Sequence, residues 1–197
     1  MHFRRLSISI FGIIMLFAAV SASCQTAPSY QAQGLPLVVG VGPSSYDVDW
    51  GRGRMLGATL WADWYPKWVP RMINGLGLEF EARDISLNRS DTQPNLRQDT
   101  VGGGPIYTWR HFPKMHPYVK YLISYGSIDF TTPNPAYTHD TRTVKAPGLG
   151  FEYRVYHQYW VRADYEYQTW QPLYNGTLKP QGFTLGVSYD FLRPWPH

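Results

Sequence analysis

Apolar and polar residues alternate along most of the chain beyond its first 35 residues. The clearest example is segment 160–169, where the odd positions carry Val, Ala, Tyr, Tyr and Thr and the even positions carry Trp, Arg, Asp, Glu and Gln. Successive side chains of a β-strand point to opposite faces, so this segment predicts a strand with one apolar and one largely charged face. The 18 Gly and 16 Pro residues interrupt almost every stretch that could form a helix, which argues against a helical bundle.

Eight segments show this alternation, five of them clearly and three more weakly. A tilted strand crosses a membrane with about 9–11 residues, so the segments are close to the length that a membrane requires. The predicted strands are 37–44, 56–64, 76–83, 100–109, 117–127, 149–155, 160–169 and 183–191.

The connections between these segments alternate between short and long. Outer-membrane barrels have short periplasmic turns and longer extracellular loops, and an even number of strands places both chain ends in the periplasm. We therefore predict an all-β fold, an eight-stranded antiparallel up-and-down transmembrane β-barrel. The short connections are 66–70, 110–116 and 156–159, and the longer ones are 46–54, 86–98, 129–143 and 171–180.

The first 23 residues have the order of parts that is typical of a secretory signal. Arg4 and Arg5 precede an apolar run over 8–20, and small residues follow at 21–23. A membrane-spanning helix needs about 20 apolar residues, and this run is shorter. The predicted organisation is a signal peptide over 1–23, a polar linker over 24–34, the barrel over 35–191 and a short periplasmic tail over 192–197.

Loss of the signal peptide would remove two arginines and lower the formal net charge from +4 to +2, which leaves little basis for nucleic-acid binding. Cys24 is the only cysteine, so no disulfide can form within the chain. It is either a lipid-modified residue that anchors the mature N-terminus or an incidental residue beside an ordinary cleavage site.

The charged residues of the strands fall on the polar face. Only 16% of the chain is charged, against about 25% in a typical soluble domain, and much of this charge lies on strands. Glycine recurs on the same face, as a narrow lumen requires. We predict that this face lines the lumen and carries a charge network; a soluble periplasmic ligand-binding barrel with an apolar cavity is the opposite arrangement. The network residues are Asp63, Glu79, Glu81, Arg83, Lys120, Glu152, Arg154, Arg162, Asp164 and Glu166.

Aromatic residues cluster at the strand ends beside the short turns. Trp and Tyr are enriched where a barrel crosses the membrane surface, so we predict a periplasmic aromatic girdle. Its residues are Trp64, Tyr65, Trp68, Trp109, Tyr118, Tyr159, Trp160 and Phe191.

Segments 148–170, 182–191 and 117–126 resemble the small outer-membrane β-barrel domain family, which is similar to the transmembrane domain of outer membrane protein A and to opacity-type surface antigens. The resemblance implies an outer-membrane location and contact with outer-membrane lipid. It also implies assembly by the barrel-assembly machinery, and a monomer is favoured. Phe191 fits the terminal aromatic residue that such barrels present to that machinery, although six more residues follow it.

The sequence predicts no cofactor, no metal site and no catalytic residue. The His residues are dispersed, and no Cys/His spacing supports zinc. His139, Asp140 and Thr141 weakly resemble the His and hydroxyl residue, two positions apart, that a lipid-modifying hydrolase would need, but they fall in an expected extracellular loop. Seven basic residues in expected loops suit lipopolysaccharide phosphates: Arg52, Arg54, Arg89, Arg97, Arg142, Lys145 and Lys179.

The sequence thus favours an integral outer-membrane barrel with a structural or surface-interaction role. Eight strands leave an interior just wide enough for side chains, so the lumen is expected to be filled and at most narrowly conducting. The alternatives are an outer-membrane lipid-modifying hydrolase and the soluble periplasmic barrel.

Overall fold

The computed structural model describes residues 36–47, 49, 53–66, 68–70, 73–87, 96–130, 139–172 and 177–191. The predicted signal peptide (1–23), the polar linker (24–34) with Cys24 and the tail (192–197) lie outside these residues. No helix in this part of the chain is long and apolar enough to cross a membrane.

The described residues form nine strands. They are β1 (Leu37–Asp47), β2 (Arg54–Trp64), β3 (Leu76–Leu87), β4 (Leu96–Thr108), β5 (Met115–Phe130), β6 (His139–Tyr156), β7 (Tyr159–Tyr167), β8 (Thr169–Trp170) and β9 (Gln181–Asp190).

The strands form one antiparallel sheet that closes on itself. Consecutive strands pair from β1 to β6, β6 pairs with β7, β7 pairs with β9, and β9 pairs with β1. The two-residue β8 also pairs with β6, directly beyond β7, so β7 and β8 occupy one position in the wall with Gln168 between them. The wall therefore has eight strand positions, and the predicted fold class is confirmed.

The barrel has two different ends. The turn end contains the start of β1, the end of β9 and the connections 65–75, 109–114 and 157–158. The loop end contains the other connections. Length alone does not separate the two ends, because the turn-end connection 65–75 is longer than the loop-end connection 48–53.

The strands extend further toward the loop end than the alternation predicts. β6 begins at His139, although the sequence predicts a strand only from Leu149, and β5 continues to Phe130. The predicted loop 129–143 is therefore partly strand. This part of the strand shows no alternation in the sequence, because it lies beyond the apolar part of the outer wall and carries polar residues on both faces.

The interior is polar and the outer wall is apolar. Glu79 is fully buried and Lys120 is 4% exposed, whereas Phe80 and Leu185 on the outer wall are 58% and 59% exposed. A soluble barrel with an apolar cavity would have the reverse arrangement, so that alternative is wrong.

Glycines make room for the large side chains of the interior. Trp61 of β2 lies across Gly40 of β1 and Gly186 of β9, and a Cβ atom at Gly40 would fall 2.3 Å from Trp61 Cζ2. The indole can therefore fill the lumen only because β1 and β9 carry no side chain at these two positions.

Candidate functional site

Lys120 of β5 lies at the centre of the lumen and is surrounded by carboxylates of β3 and β7. Its Nζ lies 2.9 Å from Glu79 Oε1, 2.8 Å from Glu81 Oε2 and 3.2 Å from Glu166 Oε2, and it also contacts Asp164. Glu79, Glu81 and Asp164 are close enough together to hold a metal ion. The ammonium group of Lys120 contacts all three carboxylates and already supplies the positive charge there.

Two arginines extend this network along the barrel axis. Arg162 of β7 donates to Glu79 Oε2 at 2.6 Å and to Asp63 Oδ2 at 3.2 Å, on the turn-end side of Lys120. On the loop-end side, Arg83 of β3 donates to Glu166 Oε1 at 2.7 Å and also pairs with Glu81. All of these side chains are at least 95% buried.

Aromatic rings cover the faces of the two guanidinium groups. Arg83 lies 4.2 Å from the ring centre of Tyr46, and Arg162 lies 4.4 Å from that of Tyr118 and 4.9 Å from that of Trp61. A planar guanidinium bonded at its edge and stacked on its face has little freedom to move. The network is therefore held in one arrangement by packing as well as by charge.

An apolar cap closes the lumen toward the loop end. Trp170 of β8 is fully buried within it, and its Nε1 donates to Gln168 Oε1 at 3.0 Å. Gln168 in turn donates to Glu166 Oε1 at 2.9 Å, so the cap and the charge network are joined by hydrogen bonds. The cap consists of Tyr46, Met55, Ile85, Leu96, Ile128, Val144, Trp170 and Leu178.

The lumen widens toward the turn end into a cavity of about 150 Å³. His116 stacks on Trp160 there at 4.4 Å between ring centres, and Arg110 of the β4–β5 turn covers the Tyr65 ring at 3.9 Å. Glu152 also lines the cavity, and its Oε1 has no hydrogen-bond partner among the described residues. Carboxylate, imidazole and guanidinium groups thus meet at this mouth.

Nine of the ten residues predicted for the charge network lie buried in the lumen. The exception is Arg154, which is half-buried near the turn end, where the register of β6 shifts between Arg154 and Tyr156. Its guanidinium lies 5.9 Å from the ring centre of Trp160. Asp190 is also buried and was missed, although it alternates with apolar residues of β9. Among the described residues, seven carboxylates and three Lys or Arg cations are buried in the lumen, an excess of four acidic groups.

The predicted girdle needs a correction at three residues. Tyr65, Tyr118 and Trp160 are at most 5% exposed and point into the lumen, so they cannot lie at a lipid surface. Their positions beside the short turns suggested a girdle, but their side chains belong to the inner face. The other predicted residues are exposed: Trp64, Trp68, Trp109, Tyr159 and Phe191.

A polar band follows the outer wall at the loop end of β3, β4, β5 and β6, and we call it the outer stripe. Its residues are Asp84, Arg97, Asp99, Ser127, Asp129, His139 and Thr141, which neighbour one another in the strand ladders. Arg97 Nη2 lies 2.8 Å from Asp84 Oδ2, and the two side chains are 50% and 60% exposed. The stripe marks the upper limit of the apolar wall.

Within the outer stripe, three side chains form a hydrogen-bonded series. Asp129 and His139 are direct partners across the β5–β6 ladder, and Asp129 Oδ1 lies 2.5 Å from His139 Nδ1. The other ring nitrogen of His139 lies 3.2 Å from the hydroxyl oxygen of Thr141. The structure therefore brings His139 and Thr141 together, but with Asp129 as the carboxylate; Asp140 instead pairs with Arg142.

The apolar wall below the outer stripe contains a groove of about 400 Å³. Small side chains at Ala58 and Ala82 form its floor, and larger ones border it at Leu60, Val101 and Tyr125. The small alanines between large neighbours create the depression.

The basic residues predicted for loops are mostly on strands. Arg52 and Arg89 lie outside the described residues. Arg54, Arg97, Arg142 and Lys145 lie toward the loop ends of β2, β4 and β6, and Lys179 lies in the connection before β9. Arg97 and Arg142 pair with neighbouring carboxylates. Lys145 and Lys179 are exposed and make no ion pair with a described residue.

The outer membrane protein beta-barrel domain family matches residues 15–191 of the chain. The chain belongs to this family. It is therefore an outer-membrane protein, its turn end is periplasmic and its loop end is extracellular. No curated protein sequence matches the chain.

Solved structures of small bacterial barrels share the fold. Neisserial surface protein A is 12% identical with a TM-score of 0.61, and 79% of this chain and 96% of that chain are covered. Ail, the attachment invasion locus protein of Yersinia pestis, is 17% identical with a TM-score of 0.55, covering 78% and 96%. The N-terminal barrel domain of Pseudomonas aeruginosa OprF is 14% identical with a TM-score of 0.51, covering 80% and 100%. At these identities the likeness concerns the fold alone.

Proposed function

We propose that this protein is a closed outer-membrane barrel that acts through its extracellular surface rather than as a pore. The observation that carries the proposal is the position of Lys120, whose ammonium lies within 3.2 Å of four carboxylates from two strands and fills the middle of the lumen. An eight-stranded barrel has no spare width around such a cluster. The apolar cap above it adds a second barrier.

Conductance across a planar lipid bilayer tests the closed lumen. We expect at most a small conductance from the refolded protein. The triple variant Arg83→Ser, Glu166→Ser and Trp170→Ala removes a buried cation together with its anion and also removes the largest side chain of the cap, so it should raise the conductance severalfold. The matched control is Arg97→Ser with Asp84→Ser, which removes a similar ion pair from the outer stripe and should leave the conductance unchanged. A large, steady conductance of the unmodified protein would contradict the proposal.

A surface role needs a chemical target, and the free basic groups at the loop end favour an anionic one. Lys179 is exposed beyond the wall, and Lys145 lies on the outer wall opposite Ile123, from where its long side chain can reach the headgroup level. A structure of Ail was determined in complex with the heparin analogue sucrose octasulfate. We propose that the loop end of the present protein binds sulfated or phosphorylated glycans, including the phosphates of lipopolysaccharide.

Binding can be measured by titrating the protein in lipid nanodiscs with sucrose octasulfate. Lys145→Glu with Lys179→Glu should weaken binding at least tenfold, because two attractive charges become repulsive. Lys114→Glu changes an exposed lysine at the opposite, periplasmic end and should have no effect. Equal affinities for all three proteins would exclude the loop end as the binding surface.

We also propose that the barrel is a monomer, that its exposed turn-end aromatics form the girdle, and that the assembly machinery recognises Phe191. The Phe191 ring packs edge-on against Tyr189 at 4.6 Å on the outer wall. Phe191→Ala should lower the amount of heat-modifiable protein in the outer membrane, and an unchanged amount would place the assembly signal elsewhere.

A further inference from the structure

The hydrogen-bonded series in the outer stripe has the arrangement that activates a hydroxyl group. His139 and Thr141 are two residues apart on β6, so both point outward, and Asp129 reaches His139 from β5. When His139 Nδ1–H donates to the Asp129 carboxylate, Nε2 is left as an acceptor for the Thr141 hydroxyl, 3.2 Å away. A nucleophile within hydrogen-bond reach of a base, with the base oriented by a third group, is the signature of nucleophilic catalysis.

The position of these groups defines which molecules can reach them. Thr141 is the ladder partner of Ser127, and Ser127 lines the upper edge of the apolar groove. The groove lies on the lipid-facing wall, since outward-pointing residues such as Val41 and Tyr125 line it. An alkyl chain in the groove would therefore have its polar end at the level of Thr141.

We propose that Asp129, His139 and Thr141 form an esterase site, and that its substrate is an acyl ester of a lipid in the outer leaflet. The groove and the hydrogen-bonded series are independent observations. The groove is formed by side chains of β1 to β5, whereas the series is formed by the pairing of β5 with β6. The proposal does not depend on whether the lumen is closed.

The reaction consumes one water and needs no other reactant. The Thr141 oxygen attacks the ester carbonyl while its proton passes to His139 Nε2. The bond to the lipid alcohol then breaks, and the alcohol leaves with that proton. Water, deprotonated by the same nitrogen, attacks the acyl-threonine ester, and the fatty acid is released as the Thr141 hydroxyl forms again. Asp129 holds the ring in the required tautomer and stabilises its protonated form.

Hydrolysis of a long-chain p-nitrophenyl ester by the full, refolded protein in detergent micelles tests the site. Thr141→Ala should lower the rate by on the order of 10²-fold, and Thr141→Ser should retain most of it, because a serine hydroxyl can take the same position. Thr143→Ala is the matched control, since Thr143 is the next outward threonine of β6 and should be dispensable. A heat-dependent shift in electrophoretic mobility confirms that each variant is folded.

The threonine variants separate the proposed site from catalysis by an exposed imidazole. A histidine can hydrolyse an activated ester without any hydroxyl neighbour, so equal rates for Thr141→Ala and the unmodified protein would overturn the proposal. Ala82→Leu should fill the groove and lower the rate for the long-chain ester while leaving p-nitrophenyl acetate unaffected. If the two esters respond equally, the groove does not hold the acyl chain and the assigned substrate class is wrong.

Discussion

The same strands carry ionic groups on both faces, and the two sets differ in what surrounds them. The ion pairs of the lumen are at least 95% buried, and most join strands that are not neighbours in the wall; those between β3 and β7 cross the barrel. The ion pair between Arg97 and Asp84 on the outer stripe is 50–60% exposed and joins only neighbouring strands. Burial makes the first set costly to disturb, because a charge that loses its partner there cannot be solvated by water. The second set can exchange its partners for water or for an external molecule.

The largest expected difference in unfolding free energy is between a lysine substituted in the lumen and a lysine substituted on the outer wall. Lys120→Met would leave four carboxylates around an uncharged side chain, and we expect it to lower the free energy of unfolding by about 3–5 kcal/mol. Lys145→Met, on the outer wall, should change it by no more than about 0.5 kcal/mol. Urea unfolding in detergent micelles, followed by tryptophan fluorescence, measures both. Similar losses for the two variants would mean that water reaches the lumen freely.

A smaller loss of unfolding free energy is expected from a substitution that disturbs the packing of the lumen but none of its charges. In Gly40→Val the added atoms would overlap Trp61 and approach Ser188, and overpacking of this kind costs about 1–3 kcal/mol. The same unfolding measurement applies. Trp61→Leu in the Gly40→Val background should recover part of the loss, since it removes the ring that the valine meets. If the second substitution only adds to the loss, the indole is not the obstacle.

The smallest effect is expected on the outer stripe. Arg97→Ala breaks an exposed pair with Asp84, and such pairs contribute about 0.2–1 kcal/mol. The difference from the unmodified protein should shrink further in 1 M salt, where the screening length falls to about 3 Å. Unfolding curves at low and high salt check this. A loss as large as that of Lys120→Met would remove the distinction between the two faces.

Alternation predicted the wall and the composition of the lumen because a strand has only two faces. Because Lys120 lies on the inner face, every second residue of β5 must lie on that face too. The same rule places Tyr118 and Trp160. Tyr118 is two positions from Lys120 on β5, and Trp160 is two positions from Arg162 on β7, so each shares the inner face with a cation. The girdle prediction used their nearness to a turn and set aside their face, and it was wrong for that reason.

The outer stripe could not be predicted in the same way. Asp129 and His139 are ten residues apart along the chain and become partners only through the register of β5 against β6. That register is fixed by the whole ladder, including apolar contacts far below the pair. The spacing of His139 and Thr141 was visible in the sequence, but the sequence placed them in a loop and indicated Asp140 where the structure supplies Asp129.

With the lumen closed as proposed, the apolar cap at one end and the cavity at the other make the interior a well that opens to one compartment. The mouth of this well lies at the periplasmic end, where Arg110, His116 and Glu152 line it. An ion or solute in the external medium would therefore meet the outer stripe, whereas one in the periplasm would meet the mouth of the well.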